Sequence, residues 1–298
     1  MSATEPLRPS SLLTRQLLAV GLAFAAVLGV LFWPTFLWMA ERFDASDSFY
    51  SHGWLIPVAS AWLVWQRRRI VAMRPIQPSF WGLALLVPAV AVHALTTWWR
   101  LGFLSGFAML ASVYGLVWTC WGWSVLWALR FPMLYLLFMV PLPGVLLIAA
   151  SFHMKLAAAT LATWILHLIG MPAVQAGSMI QVPGVSVIVD DTCSGLRSLI
   201  SLIALATLWT SLMPASSKTW HRMVVLASAI PIALVANMVR ILVLVFLSAI
   251  YGPKIADSFI HYGSGVVVFG IALALLIWLS RWVQRWSLFG LNRSPSSS

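Results

Sequence analysis

Charged residues are scarce in this 298-residue chain, where Asp, Glu, Lys and Arg together make up 8% of the residues and only seven residues are acidic. Soluble domains carry charge on about a quarter of their residues. Here 61% of the residues are hydrophobic and the mean hydropathy is +0.94. The composition therefore excludes an ordinary soluble domain and predicts an integral membrane protein, whose 18 tryptophans would settle at the level of the lipid headgroups.

Cysteine and metal-binding motifs are equally scarce. The two cysteines, Cys120 and Cys193, lie far apart in the sequence and predict no disulfide framework. The chain has no H-E-x-x-H, no Cys-x-x-Cys and no Glu-rich span, so we expect neither a metal nor a cofactor. The net charge of +11 does not predict nucleic-acid binding, because the arginines are scattered between apolar runs. Membrane lipids are their expected partners.

Eight apolar runs approach the length of a membrane-spanning helix, which needs about 20 residues to cross roughly 30 Å of hydrocarbon. We therefore predict an all-α polytopic membrane protein with spans near 17–40, 53–66, 79–97, 102–121, 124–142, 193–213, 222–249 and 262–280. The first span has no small-residue cleavage site after it and is expected to be retained as an anchor. No repeat or second domain is visible, so residues 1–298 are predicted to form one domain with a disordered tail at about 292–298.

The distribution of Lys and Arg predicts the orientation, because cytoplasmic loops are enriched in them. Basic residues precede the first span, follow the second, separate the sixth from the seventh and follow the eighth: Arg8, Arg15, Arg67, Arg68, Arg69, Arg74, Lys218, Arg222, Arg281, Arg285 and Arg293. All four places are cytoplasmic if the chain starts inside. This topology predicts that both termini are cytoplasmic and that the acidic segment 41–47 and the loop 251–258 lie outside.

The apolar segment 145–170 does not fit this topology as a ninth span. Crossing the membrane would place Lys218 and all later basic loops outside, so we predict an interfacial or re-entrant helix. His153, Thr160, Thr163 and His167 recur on one face of that helix. The following stretch, 171–190, contains Pro and Gly among Val and Ile and is predicted to be an ordered extracytoplasmic loop or short hairpin.

Several polar residues then converge on the outer side of the predicted bundle. Cys193 lies at the start of the sixth span in "VDDTCSGLRS", where the helix N-terminus favours a thiolate. Arg240 lies inside the seventh span and His261 begins the eighth. A buried arginine needs a partner or a water-filled cavity, and Asp190 and Asp191 are the nearest anions in this topology.

A cysteine, a histidine and an arginine in one cavity supply the groups of acyl transfer: a nucleophile, a general acid/base and an oxyanion stabiliser. Cys120, which has no polar neighbours in sequence, is interpreted as a small apolar filler, and the same interpretation stays open for Cys193. His261 is alternatively a hydrated interface residue and Arg240 a member of a structural ion pair. The alternative function is a polytopic transporter or lipid-binding scaffold built on that Arg–Asp pair.

Five segments resemble those of the exosortase/archaeosortase family. "DDTCSGLRSL" is similar to its cysteine signature, "NMVRIL" to its arginine motif and "HYGSGVVVFG" to its histidine motif. "FYSHGWLIPVASAWLVWQ" resembles an early Ser-His-Gly block, and "FPMLYLLFMVPLPG" a Pro-Leu-Pro block. The resemblance runs from about residue 48 to 283 in the family's order. Thr192 departs from the family's usual alanine, and its hydroxyl is expected to cap the helix.

The resemblance implies a cysteine peptidase or transpeptidase of the bacterial inner membrane, with its active site at the extracytoplasmic face. It implies Cys193, Arg240 and His261 as the catalytic set. The neighbouring residues expected to bind substrate or support the site are Asp190, Asp191, Ser194, Gly195, Arg197 and Asn237, of which Arg197 is expected to contact the acidic residue of the sorting motif. Its implied partners are exported proteins with a C-terminal Pro-Glu-Pro-type (PEP-CTERM) motif, a transmembrane helix and a basic tail. Hydrolysis and transfer to a surface acceptor both stay open.

Overall fold

The computed structural model describes residues 11–45, 48–189, 195–214, 217–252 and 259–291, without the side chains of 11–18, 259–262 and 286–291. The chain forms two compact units, Met1–Leu142 and Pro143–Ser298, which are described separately below. The single domain expected from the sequence stays a prediction.

The first unit contains eight helices among its described residues. They are α1 (Ser11–Leu31), α2 (Trp33–Asp44), α3 (Leu55–Gln66), α4 (Arg68–Ala72), α5 (Trp81–Trp98), α6 (Gly102–Trp121), α7 (Trp123–Ala128) and α8 (Arg130–Tyr135). Helices α5 and α6 pack closely along each other. Small residues permit this approach, because a Cβ on Gly82 would lie 2.6 Å from the Gly115 carbonyl oxygen.

Helices α1 and α2 form one apolar segment bent by 63° at Phe32. His93 on α5 supports the bend, because its Nε2 donates a hydrogen bond of 3.0 Å to the Leu31 carbonyl oxygen. The tautomer follows from this bond, and the His93 Nδ1 therefore accepts from the Ser105 hydroxyl at 2.7 Å. Ser105 in turn bonds the hydroxyl of Thr35. Since His93, Ser105 and Thr35 are all buried, these bonds satisfy polar groups that lipid could not.

Residues 128–142 run antiparallel to residues 50–67. The Arg67 guanidinium donates to the Ala128 carbonyl at 2.9 Å, and the Ser60 hydroxyl to the Pro132 carbonyl at 2.7 Å. At the other end, the Leu142 N–H donates to the Tyr50 hydroxyl at 3.2 Å. These bonds join the Ser-His-Gly block to the Pro-Leu-Pro block. Burial raises the pKa of Tyr50, so its hydroxyl remains the neutral acceptor of this bond.

The second unit contains α9 (Gly144–Leu168), β1 (Val174–Ala176), β2 (Met179–Val182), β3 (Val185–Ile188), α10 (Leu196–Leu212), α11 (Thr219–Tyr251) and α12 (Phe259–Leu291). Helices α10, α11 and α12 pack together around a buried aliphatic core that includes Leu202, Val225 and Leu276. A second core, which includes Leu166, Ile180 and Ile241, joins α9 and the strands to α11.

The three strands form an antiparallel sheet in the order β1-β2-β3. Pro183 and Gly184 make the turn between β2 and β3, and the positive φ of Gly184 (+82°) is the conformation that glycine supplies there. The buried strand residues alternate with exposed ones, so one face of the sheet packs on the helices. The predicted hairpin is therefore present, with one strand more than a hairpin has. The predicted all-α fold class does not include this small sheet.

Among the described residues, five helices are long and apolar enough to cross a membrane, or six with the bent pair α1–α2. They include α5, α6, α11 and residues 263–285 of α12, as predicted. The other predicted spans are shorter or broken: 53–66 contains the 12-residue α3, 193–213 the 17-residue α10, and 124–142 the two short helices α7 and α8. Eight spans are thus not confirmed. The continuous 25-residue α9 passes the same test, so its predicted non-crossing position is not confirmed either.

Candidate active site

Helix α10 begins at Gly195, in the middle of the cysteine segment. Gly195 is the N-cap and has a φ of +80° and a ψ of −4°, a left-handed conformation. A Cβ at this position would lie 2.7 Å from the Asn237 Cγ. Both the backbone conformation and the close approach therefore require glycine here. The Ser198 hydroxyl donates to the Gly195 carbonyl at 2.9 Å and holds the first turn of the helix.

Arg240 lies on α11, one turn after Asn237, and points to the start of α12. Its Nε is 3.4 Å from the Ser264 hydroxyl oxygen and donates to it. The guanidinium lies beside the neighbouring Gly265, where a Cβ would be in van der Waals contact with the Arg240 Cζ at 3.5 Å. The arginine segment and the histidine segment of the sequence therefore meet at the guanidinium.

A small cavity lies where α10, α11 and α12 meet. It has a volume of about 20 Å³, which is room for one water molecule. The cavity is lined by Ser198, Leu202, Ala233, Ala236, Asn237, Arg240, Gly265, Val268, Phe269 and Ala272. Its polar wall combines one residue of the cysteine segment with Asn237 and Arg240, while the other walls are apolar. A polar wall next to apolar side chains is a setting in which a guanidinium interacts strongly with a developing negative charge.

Several predicted site residues lie outside the described residues: Asp190, Asp191, Thr192, Cys193 and Ser194. The Asp–Arg pair and the cap by Thr192 therefore stay predictions. His261 lies in the first turn of α12, three residues before Ser264, and its side chain is outside the described part. Arg197 is half-buried in the first turn of α10, two residues after Gly195. The structure thus brings together Gly195, Asn237 and Arg240 from the predicted set.

Three residues at this site were missed by the sequence analysis: Ser198, Ser264 and Gly265. Ser264 follows His261 by three residues, which places both on one face of α12. That spacing was a usable signal for Ser264. For Ser198 no signal distinguished it from the other serines of α10, because its position in the cavity depends on how α10 packs against α11.

The fold and the site define a polytopic helical membrane protein in which three sequence motifs meet around a half-buried guanidinium. The chain matches the family model of the transmembrane exosortase (Exosortase_EpsH) over residues 38–278, which is most of its length, and it belongs to that family. No curated protein and no solved structure matches it. Family membership implies a membrane enzyme that processes sorting signals.

Proposed function

We propose that this protein is a cysteine peptidase or transpeptidase that cleaves the C-terminal sorting signal of exported membrane-anchored proteins. The observation that carries this proposal is the meeting of the three motif segments: Gly195 against Asn237, and Arg240 against Ser264. Cys193 precedes Gly195 by two residues. Since consecutive Cα atoms are about 3.8 Å apart, the nucleophile cannot lie far from this centre.

The proposed reaction has two steps. The Cys193 thiolate attacks the carbonyl carbon of the scissile peptide bond, and the resulting oxyanion accepts hydrogen bonds from Arg240. His261 in its protonated form gives a proton to the departing amine, the C–N bond breaks, and a thioester remains. Water or an acceptor nucleophile then attacks the thioester, gives its proton to His261, and releases Cys193.

The guanidinium suits the oxyanion role because its planar fork presents several N–H donors at fixed angles. The Ser264 hydroxyl fixes one edge of this fork through the Arg240 Nε. An apolar environment excludes competing water and strengthens the interaction with the oxyanion.

The substrate that fits this proposal has a Pro-Glu-Pro-type motif directly outside a transmembrane helix, followed by a basic cytoplasmic tail. The enzyme would be a multi-pass protein of the bacterial inner membrane with both termini in the cytoplasm. Its centre would then lie near the outer leaflet, at the depth of the scissile bond.

The test is co-expression of the enzyme with such a substrate in a bacterial host that has no enzyme of this family. Wild-type enzyme should convert the substrate to a shorter form, and Cys193→Ala should leave it intact. Cys120→Ala is the matched control, because Cys120 is buried in α6 and should be dispensable. Mass spectrometry of the new C-terminus then separates a free carboxylate from an attached acceptor. Normal cleavage by Cys193→Ala would disprove the nucleophile assignment.

A further inference from the structure

Strand β3 is an edge strand that leads directly toward the cysteine segment. Among the described residues, no strand pairs with its outer edge. Pairing with β2 continues one residue past the strand, since the Val189 N–H donates to the Ser178 carbonyl at 2.9 Å. Val189 precedes Cys193 by four residues. The sheet therefore stays ordered almost up to the proposed nucleophile.

The register shows which main-chain groups form the outer edge. Val182 pairs with Val185 across the Pro-Gly turn, and Ile180 pairs with Val187. In antiparallel pairs the hydrogen-bonded positions alternate, and the bond from Val189 to Ser178 fixes which set is bonded. The N–H and C=O groups of Ser186 and Ile188 therefore point away from β2. Both residues are exposed, with Ile188 59% accessible.

The position of β3 relative to the site distinguishes it from the other edge strand. β3 contacts α11, whereas β1 contacts α9. The sheet packs on Met238 and Ile241, which directly follow Asn237 and Arg240 on α11, and on Leu244 and Val245 in the next turn. A peptide along the outer edge of β3 would thus lie at the level of the guanidinium. A peptide along β1 would lie beside α9.

We infer that the outer edge of β3 binds an extended segment of the substrate as a fourth strand and delivers the scissile bond to Cys193. This inference rests on the proposed function. Main-chain hydrogen bonds to Ser186 and Ile188 supply the affinity, and the alternate side chains of the segment face either the sheet's solvent side or the helices. An unpaired edge beside a catalytic centre is otherwise an aggregation hazard, which pairing with a substrate removes.

The Pro-Glu-Pro motif of the proposed substrate is compatible with this edge. Proline has no N–H, so an added strand tolerates it only where that N–H would point away from the sheet. The two prolines are two residues apart and therefore share one side of the strand. In one register the main-chain nitrogens of both prolines point away from β3. The N–H and C=O groups of the glutamate between them then form hydrogen bonds with the edge of β3.

Disulfide trapping tests the inference without requiring turnover. In the Cys120→Ala, Cys193→Ala background, Ser186→Cys and Ile188→Cys are combined with substrates that carry single cysteines around the Pro-Glu-Pro motif. A fourth strand should give strong cross-links at every second substrate position, with the same set for both enzyme positions, and the strongest cross-link should move by two substrate positions between Ser186→Cys and Ile188→Cys. The direction of that shift reports whether the segment runs parallel or antiparallel to β3. Cross-links without periodicity, or none at all, would overturn the inference.

A processing assay in the otherwise wild-type enzyme gives the second measurement. Ser186→Pro removes one outward N–H from the edge and should lower processing about tenfold relative to the wild-type enzyme. Gln175→Pro is the matched control, because Gln175 occupies the corresponding outward position on β1. Equal effects of Ser186→Pro and Gln175→Pro would contradict the choice of edge. If the wild-type enzyme does not process the substrate at all, the proposed function fails instead.

Discussion

Gly195 packs directly against the side chain of Asn237, so that a Cβ on residue 195 would lie 2.7 Å from the Asn237 Cγ. This contact fixes the start of α10 to the middle of α11, one turn from Arg240. The segment that carries Cys193 is thus tied to the helix that carries the guanidinium by a contact that only glycine permits. The relative position of nucleophile and oxyanion donor depends on it in the proposed mechanism.

The first prediction concerns Gly195→Ala. This change adds a Cβ in a left-handed conformation, which costs about 1–2 kcal/mol, and also forces Asn237 to move. Gly170→Ala is the control, because Gly170 has the same φ of +80° but no atom within 4 Å of its Cβ position. Both variants should lose the stability that the left-handed conformation costs, and Gly195→Ala should lose more because of the clash with Asn237, while only Gly195→Ala should lose most of its processing activity at matched membrane levels. Equal activities would show that the contact with Asn237 is not needed.

The second prediction concerns the guanidinium and its orientation. Arg240→Lys should lower processing by about 10²–10³-fold, because an ammonium cannot reproduce the planar fork at an oxyanion. Ser264→Ala removes the hydroxyl that accepts from the Arg240 Nε and should cost no more than about tenfold. Arg222→Lys is the control, since Arg222 donates to the Met213 and Pro214 carbonyls in the loop after α10 and lies outside the proposed site. Full activity in Arg240→Lys would remove the oxyanion role.

The third prediction concerns the side of the membrane on which the sheet and the loop after α10 lie. In the Cys120→Ala, Cys193→Ala background, Ala176→Cys should react with an impermeant thiol reagent in intact cells, and Ser217→Cys only after permeabilisation. Both outcomes follow from the Lys/Arg distribution if α9 does not cross the membrane. Labelling of Ser217→Cys in intact cells, with protection of Ala176→Cys, would reverse the predicted orientation of β1 and of the loop after α10.

The meeting of the motifs illustrates what the sequence can and cannot reveal. Asn237 and Arg240 were recognisable because polar residues inside an apolar run are costly and demand a reason. Pro183 and Gly184 among Val and Ile residues likewise predicted an ordered loop or a short hairpin. By contrast, the bond from Arg240 to Ser264 joins residues 24 apart on two long helices. No local periodicity encodes that contact, because it depends on how α11 and α12 pack.

The predicted spans show a second kind of limit. A hydropathy window sums composition and does not detect a break such as the one at Gly122, which has a φ of +87°. Nor does it detect that Arg67 and Ser60 bond main-chain carbonyls of residues 128 and 132, which lets short helical pieces pack beside α3. For α9 two principles compete: its length and composition suit a crossing, whereas the basic loops that follow it favour none.

The final prediction treats Cys193, Arg240 and His261 as one functional unit. Cys193→Ala should abolish processing and Cys193→Ser should nearly do so, because a serine hydroxyl is far less acidic than a thiol and needs a stronger base. His261→Ala should cost about 10²–10⁴-fold if it transfers the proton. The double variant of Arg240→Lys with His261→Ala should cleave only slightly more slowly than the less active of the two single variants. The losses should not multiply, because residues that stabilise one transition state fail together. Independent, multiplicative losses in initial cleavage rates would show that the residues act separately, and wild-type rates in His261→Ala would leave the proton transfer to another group.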